Sequence, residues 1–114
     1  MHKNSKIGKE GELLAQKYLL SKNYEIIFSN WRYKRSEVDL IAKDNNMIVF
    51  IEVKTRTNLT FGYPENFVTP NKIKKLQEAA DAYIELFNWE GELRFDIISI
   101  DGNNVIEHFE DAFY

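Results

Sequence analysis

Residues 37–54 read Glu-Val-Asp-Leu-Ile-Ala-Lys-Asp-Asn-Asn-Met-Ile-Val-Phe-Ile-Glu-Val-Lys. Segments 37–42 and 47–54 are short, rich in aliphatic and β-branched residues, and read as strands. Between them, Asp44-Asn45-Asn46 is a turn signal, because Asn tolerates positive φ and Asn45-Asn46 suits a two-residue type I′ hairpin. With that turn Asp44 pairs with Met47, and paired residue numbers sum to 91. Asp39 then falls opposite Glu52, and Glu37 opposite Lys54. Side chains alternate along a strand, so Glu37, Asp39 and Ile41 share a face with Phe50, Glu52 and Lys54.

Directly opposed side chains have Cβ atoms about 4.5–5.5 Å apart, and two carboxylates at that spacing repel unless a cation lies between them. Mg2+ or Mn2+ meets that need, since hard cations take oxygen ligands and bind through one or two carboxylates plus water and phosphate. The Val53 carbonyl is a further candidate ligand. Such a metal acidifies a water for attack on phosphorus and neutralises phosphate charge. Lys54, on the same face as Glu52, can orient or deprotonate that water, or stabilise the transition state. A competing reading makes Glu37 and Lys54 a cross-strand ion pair and leaves Asp39 and Glu52 at solvated strand ends. Against it, Glu52 interrupts the apolar run 48–53, where a carboxylate needs a partner. Spacing alone leaves both readings open, because structural ion pairs resemble functional clusters.

Upstream of this hairpin, Ser5 is a candidate N-cap for a helix running to about Lys22, with an apolar stripe at Ile7, Leu14, Ala15, Tyr18 and Leu19. Asn23 closes it, and 24–31 reads as a strand. Downstream, 57–68 reads as an irregular loop. Thr69 as N-cap and Pro70 at the first helical position open a second helix, striped by Ile73, Leu76, Ala80, Tyr83, Ile84 and Phe87 and broken over 88–92. Segments 93–100 and 105–109 are the last strands, joined by a turn at 101–104. The order is αβββαββ: an α/β fold with a mixed β-sheet and flanking helices, in which a helical crossover leads into a parallel strand.

A chain of 114 residues suits one domain over 1–114. With no cysteine, disulfides, thiolate zinc sites and cysteine nucleophiles are excluded. No signal-peptide core and no stretch of ~20 apolar residues is present, so cytoplasm and no membrane association are expected. Net charge is −3, but it is divided unevenly. Residues 1–35 carry eight Lys/Arg against three Asp/Glu, and residues 76–114 carry one against ten. A domain polarised in this way can offer a basic face to phosphate.

The segments Gly8-Lys9-Glu10-Gly11-Glu12, Glu37-Val38-Asp39-Leu40-Ile41-Ala42, Phe50-Ile51-Glu52-Val53-Lys54-Thr55-Arg56, Phe61-Gly62-Tyr63-Pro64 and Arg94-Phe95-Asp96 occur in order. Asp39 followed by Glu52-Val53-Lys54 resembles the D-(x)n-E-x-K signature of the PD-(D/E)xK nuclease superfamily. The whole set resembles the bacterial YraN family of endonuclease-like proteins. The resemblance implies a restriction-endonuclease-like fold similar to archaeal Holliday-junction resolvases, metal ligands at Asp39 and Glu52, and a catalytic lysine at Lys54. It also matches Glu12 to a helix-borne glutamate that joins the strand acids, and it suggests a homodimer. Ser36 departs from the family, which usually has glycine there. Beside Glu12, the small residues Gly8, Gly11 and Ala15 allow close approach of helix to sheet; the alternative is an exposed glutamate favoured by the helix dipole.

Arg32, Lys34 and Arg35 form one basic cluster and Lys72, Lys74 and Lys75 another, the second at a helix N-terminus. Arg56 follows Lys54 and can clamp a phosphate. The expected activity is metal-dependent phosphodiester hydrolysis of nucleic acid, DNA before RNA, on branched or structured substrates. Two other readings compete: a nucleic-acid-binding module that does not cut, and an interaction subunit docking through its acidic C-terminal region with Phe109, Phe113 and Tyr114.

Overall fold

The structure, a computed structural model, describes residues 3–55 and 68–113. Helix α1 (Lys3–Ser21) is followed by strands β1 (Glu25–Tyr33), β2 (Ser36–Asp44) and β3 (Met47–Thr55). Helix α2 (Pro70–Phe87) then leads to β4 (Glu92–Ile100) and β5 (Ile106–Phe109). The expected order αβββαββ is the observed one, and the five strands form one mixed sheet in the order β1-β2-β3-β4-β5. This α/β architecture is compatible with the restriction-endonuclease-like fold.

The hairpin register holds. Asp44 pairs with Met47 and the antiparallel ladder continues in step to Leu40 with Ile51. Asn45 takes φ 57° in the turn. β3 and β4 are parallel over their full lengths, from Met47/Glu92 to Thr55/Ile100. The β1–β2 turn is also two residues long, Lys34-Arg35 between Tyr33 and Ser36, with the positive φ on Lys34. Ser36 is not among the positive-φ residues, so its backbone does not call for glycine.

Alternation along β3 divides the core in two. Ile48 and Phe50 pack with Leu76, Ala79, Ala80 and Tyr83 of α2, whereas Val49 and Ile51 pack with Ala15 and Leu19 of α1. The helices therefore cover opposite faces. Thr69 caps α2 as expected, its Oγ1 accepting the Lys72 N–H at 3.2 Å, with Pro70 in the first turn. Asn88, in the left-handed conformation, ends α2. Ser5 is not a cap: α1 already runs from Lys3, so Ser5 lies inside it. Placing a cap there took a favourable residue type for a boundary, which helix starts often override.

A buried ionic network ties α1 and β5 to β4. Asp96, fully buried, accepts from Arg94 Nε at 2.9 Å and Nη2 at 2.8 Å, from the Asp111 N–H at 3.0 Å, and lies 2.7 Å from His108 Nε2. Tyr24 Oη is 2.6 Å from Arg94, and Tyr18 Oη of α1 is 3.1 Å from His108 Nδ1. Burial works to raise the Asp96 pKa, but these partners hold it below the ordinary carboxylate value. At the C-terminus Phe113 is buried and stacked on Phe95, and Phe109 packs against the core, so these two aromatics serve the fold. Among the described residues no helix is long and apolar enough to cross a membrane.

Candidate active site

At Asp39 the sheet opens. One residue past Leu40/Ile51 the β2–β3 ladder stops, and the Asp39 carboxylate takes the next donor, accepting the Val53 N–H at 2.9 Å. The projected pairings of Asp39 with Glu52 and Glu37 with Lys54 thus lie beyond the last ladder step. A side chain has replaced a backbone acceptor, which strand periodicity does not foresee. Asp39 and Glu52 are nonetheless brought together. Burial first, and then the Asp39 charge, push the Glu52 carboxyl up to about 7. Burial also raises Asp39, against the Val53 hydrogen bond and Lys72.

Glu52 is only 5% exposed, and its Oε1 is a buried acceptor with no hydrogen-bond partner. Two ammonium groups approach it without replacing one: Lys54 Nζ lies 3.6 Å from Oε2 and Lys72 Nζ 3.8 Å from Oε1. The solvated-ends reading is overturned. Glu52 is buried, Lys54 pairs with Glu52, and Glu37 pairs instead with Arg32 at 3.8 Å. Lys72, expected in a surface basic cluster, belongs to the interior of the site, where its Nζ also donates to the Glu37 carbonyl at 3.4 Å. Its signal was positional: the third residue of a capped helix sits at the end nearest the sheet opening.

Glu12 reaches the same place from α1. Burial and then the Asp39 charge raise its pKa, and the nearby Asn30 amide pulls the other way. The close approach rests on Gly11, where a Cβ would run into Thr55 Cγ2. Ala15 is buried, but Gly8 has nothing within 4 Å and so is not needed for the approach. Among the described residues no three His, Cys, Asp or Glu side chains are gathered closely enough to hold a metal ion by themselves. The donors present are two carboxylates, one with an orphaned buried oxygen, and the neighbouring Val53 carbonyl. Such all-oxygen donors fit a hard divalent cation that keeps water and phosphate in its remaining positions.

Outside this centre, Tyr33, Lys34, Arg35 and Ser36 of the β1–β2 turn and Lys75 and Glu78 of α2 line a cleft of about 330 Å3. Lys74 is exposed and lines none of it. Arg32 is largely exposed beside Glu37. Arg56, and with it Phe61, Gly62 and Tyr63, lies outside the described residues.

Asp39, Glu52 and Lys54 thus gather at the break between two strands, with Glu12 of α1 nearby. In comparison with known proteins, the model of the uncharacterised protein family UPF0102 matches residues 11–100. The chain belongs to UPF0102. This is the YraN group, a PD-(D/E)xK-like nuclease family. The UPF0102 protein of Christiangramia forsetii is 45% identical over 117 residues, covering 100% of this chain and 98% of the relative. That of Flavobacterium johnsoniae is 45% identical over 121 residues with the same coverage. That of Thermodesulfovibrio yellowstonii is 48% identical over 108 residues, covering 95% and 96%. As a UPF0102 member the chain is nuclease-like, and the matched span takes in Glu12, Asp39, Glu52 and Lys54.

Proposed function

We propose that this UPF0102 protein is an endonuclease that hydrolyses phosphodiester bonds of nucleic acid with Mg2+ or Mn2+, with branched or otherwise structured DNA as the substrate. The observation that carries the reading is Glu52: a buried carboxylate with one orphaned oxygen, beside the Asp39 acid and between two lysines. A buried charge so arranged is costly to the fold unless a ligand completes it. Asp39, Glu52 and the Val53 carbonyl would hold the cation, which when bound activates water and neutralises phosphate charge. Lys54 Nζ holds the attacking water in line and stabilises charge growing on the phosphoryl oxygens. Lys72, whose Nζ lies 3.8 Å from Glu52 Oε1, would serve as a second cation for the phosphate. Glu12, near Asp39, would add its negative charge to the cation site and accept the water's proton. Lys75, Arg35 and Lys34 extend the positive path along one strand of substrate.

A second reading is a binding module that keeps the fold without cutting. It is favoured by the fact that the described centre gathers two close carboxylates rather than three. Both are tested by incubating the purified chain with branched, duplex and single-stranded DNA and RNA, in Mn2+, Mg2+ or chelator, with Asp39→Ala alongside. The nuclease reading expects metal-dependent cleavage that falls at least 100-fold in Asp39→Ala, in the range lost with a key catalytic group. Tight binding with no cuts on any substrate transfers the assignment to the binding module.

A further inference from the structure

A row of rings runs outward from the core to the edge of the sheet. Buried Phe50 of β3 meets Tyr83 of α2 edge-on with centroids 5.7 Å apart, and Tyr83 meets Trp31 of β1 in the same way at 5.9 Å. Trp31 and Tyr33 are two residues apart and so share a face of β1. Their ring planes are inclined by 10° and their centroids lie 6.4 Å apart. β1 is the outermost strand, and among the described residues Trp31 is the one ring that Tyr33 meets. The row therefore ends on Tyr33, which lines the cleft of about 330 Å3 together with Lys34, Arg35 and Lys75. Lys34 Nζ lies over the Tyr33 ring, 5.3 Å from its centroid.

An aromatic ring among three cations in a cleft of this size has a chemical meaning. Clefts of about 300–1,000 Å3 hold small organic ligands, and this one stands at the small end of that range. A stacking surface joined to cations for the backbone is the means by which single strands of nucleic acid are bound. We propose that this cleft takes one unpaired nucleotide, its base stacked on Tyr33 and its flanking phosphates on Lys34, Arg35 and Lys75. In a duplex each base face is covered by its neighbours, so the site selects strands that carry an unpaired or extruded base. Trp31 and Tyr83 stand behind Tyr33 and brace it against the core, which leaves little side-chain freedom to be lost on stacking. Lys34 does not bar the base. An exposed cation–π contact is weaker than base stacking, and the freed ammonium has a phosphate to pair with. A ring that only closes the core, with solvated cations beside it, would attract charge without regard to bases. This site rests on the chain binding nucleic acid, and not on its cutting it.

Oligothymidylate and an abasic strand of the same length carry equal charge and differ only in their bases. Fluorescence anisotropy in chelator should show the wild-type protein binding oligothymidylate about tenfold more tightly, within the range for one stacked base. Tyr33→Leu keeps an apolar side chain without a π-face and should bind the two strands alike. Tyr33→Phe keeps the ring and should retain the preference. Lys75→Ala should weaken both strands equally and leave the preference intact. Equal binding of the two strands by the wild-type protein overturns the proposal with no variant needed, and no binding to either strand does the same. A folded Tyr33→Leu that keeps the preference also overturns it. Metal-dependent cleavage together with equal binding of the two strands would strike this cleft and spare the nuclease. A preference for bases with no cleavage would keep the cleft and transfer the assignment to the binding module.

Discussion

Burial and the adjacent Asp39 charge push the Glu52 carboxyl up to about 7, so the folded chain binds this proton more tightly than the unfolded chain does. A pKa raised on folding stabilises below the unfolded value, and that stabilisation is lost as pH rises through the folded value. From 4.5 to about 7 this amounts to roughly 3 kcal/mol. Asp39, also raised, adds to it in the same direction. In chelator, therefore, Glu52→Gln should melt above wild type at pH 8, and the difference should close as pH falls to 4.5. Saturating Mn2+ at pH 8 should raise the wild-type melting temperature and leave Glu52→Gln unmoved. A variant less stable than wild type at pH 8 in chelator would show that the two lysines already satisfy the acid. The Glu52 position was legible in the sequence because a carboxylate inside an aliphatic run is conspicuous. Lys72 was not, because a lysine at a helix N-terminus looks the same from sequence whether it points to solvent or to a buried acid. The left-handed Asn30, φ 53° inside β1, was hidden for a related reason: nothing in an aromatic strand marks which residue will leave the β region.

At the scale of the elements, the site depends on how closely α1 lies on the end of β3. Glycine to alanine inside a helix ordinarily gains about 1 kcal/mol. Gly8, with nothing near its would-be Cβ, should follow that rule. Gly11 should break it, because a methyl there meets the Thr55 methyl and overpacking costs about 1–3 kcal/mol. The displaced helix carries Glu12 with it, so Gly11→Ala should also weaken Mn2+ binding. Thr55→Ser removes the opposing methyl and should restore both stability and affinity in the double variant, read by urea unfolding and by titration. If Gly8→Ala and Gly11→Ala behave alike, helix approach is not what places Glu12. The hairpin register was readable down to Leu40/Ile51 because turn chemistry and alternation fix it together. It ceased to be readable at Asp39, where a carboxylate takes an N–H that the strand pattern assigns to a backbone carbonyl. Arg94-Phe95-Asp96 stood out as a segment, but its role in a buried network with His108 did not, since the members meet only after α1, β4 and β5 have come together.

Across the whole molecule, the sign of the surface changes along a single helix. The N-terminal turns of α2 bring Lys72 to Glu52 and Lys75 to the cleft with Lys34 and Arg35. Further along, Glu78, Asp81 and Glu85 line a hollow of about 270 Å3 that shares Tyr33 and Glu78 with the cleft. On the proposed function, a polyanion approaching the acid centre would be guided along one wall and repelled by the next, which would give it a direction. Net charge alone, at −3, conceals this; the division of charge along the sequence reveals it. Each phosphate contact contributes about one unit to the slope of log affinity against log salt. Lys75→Ala and Arg35→Ala should each lower that slope by about one between 50 and 200 mM salt, measured by fluorescence anisotropy on a non-cleavable branched DNA. Lys74→Ala, on an exposed position outside the cleft, should lower it much less. Glu78→Gln removes the one acid in the basic cleft and should strengthen binding without changing Mn2+ affinity. Equal effects from Lys74 and Lys75 would mean that the basic end attracts nucleic acid diffusely and that the cleft sets no path.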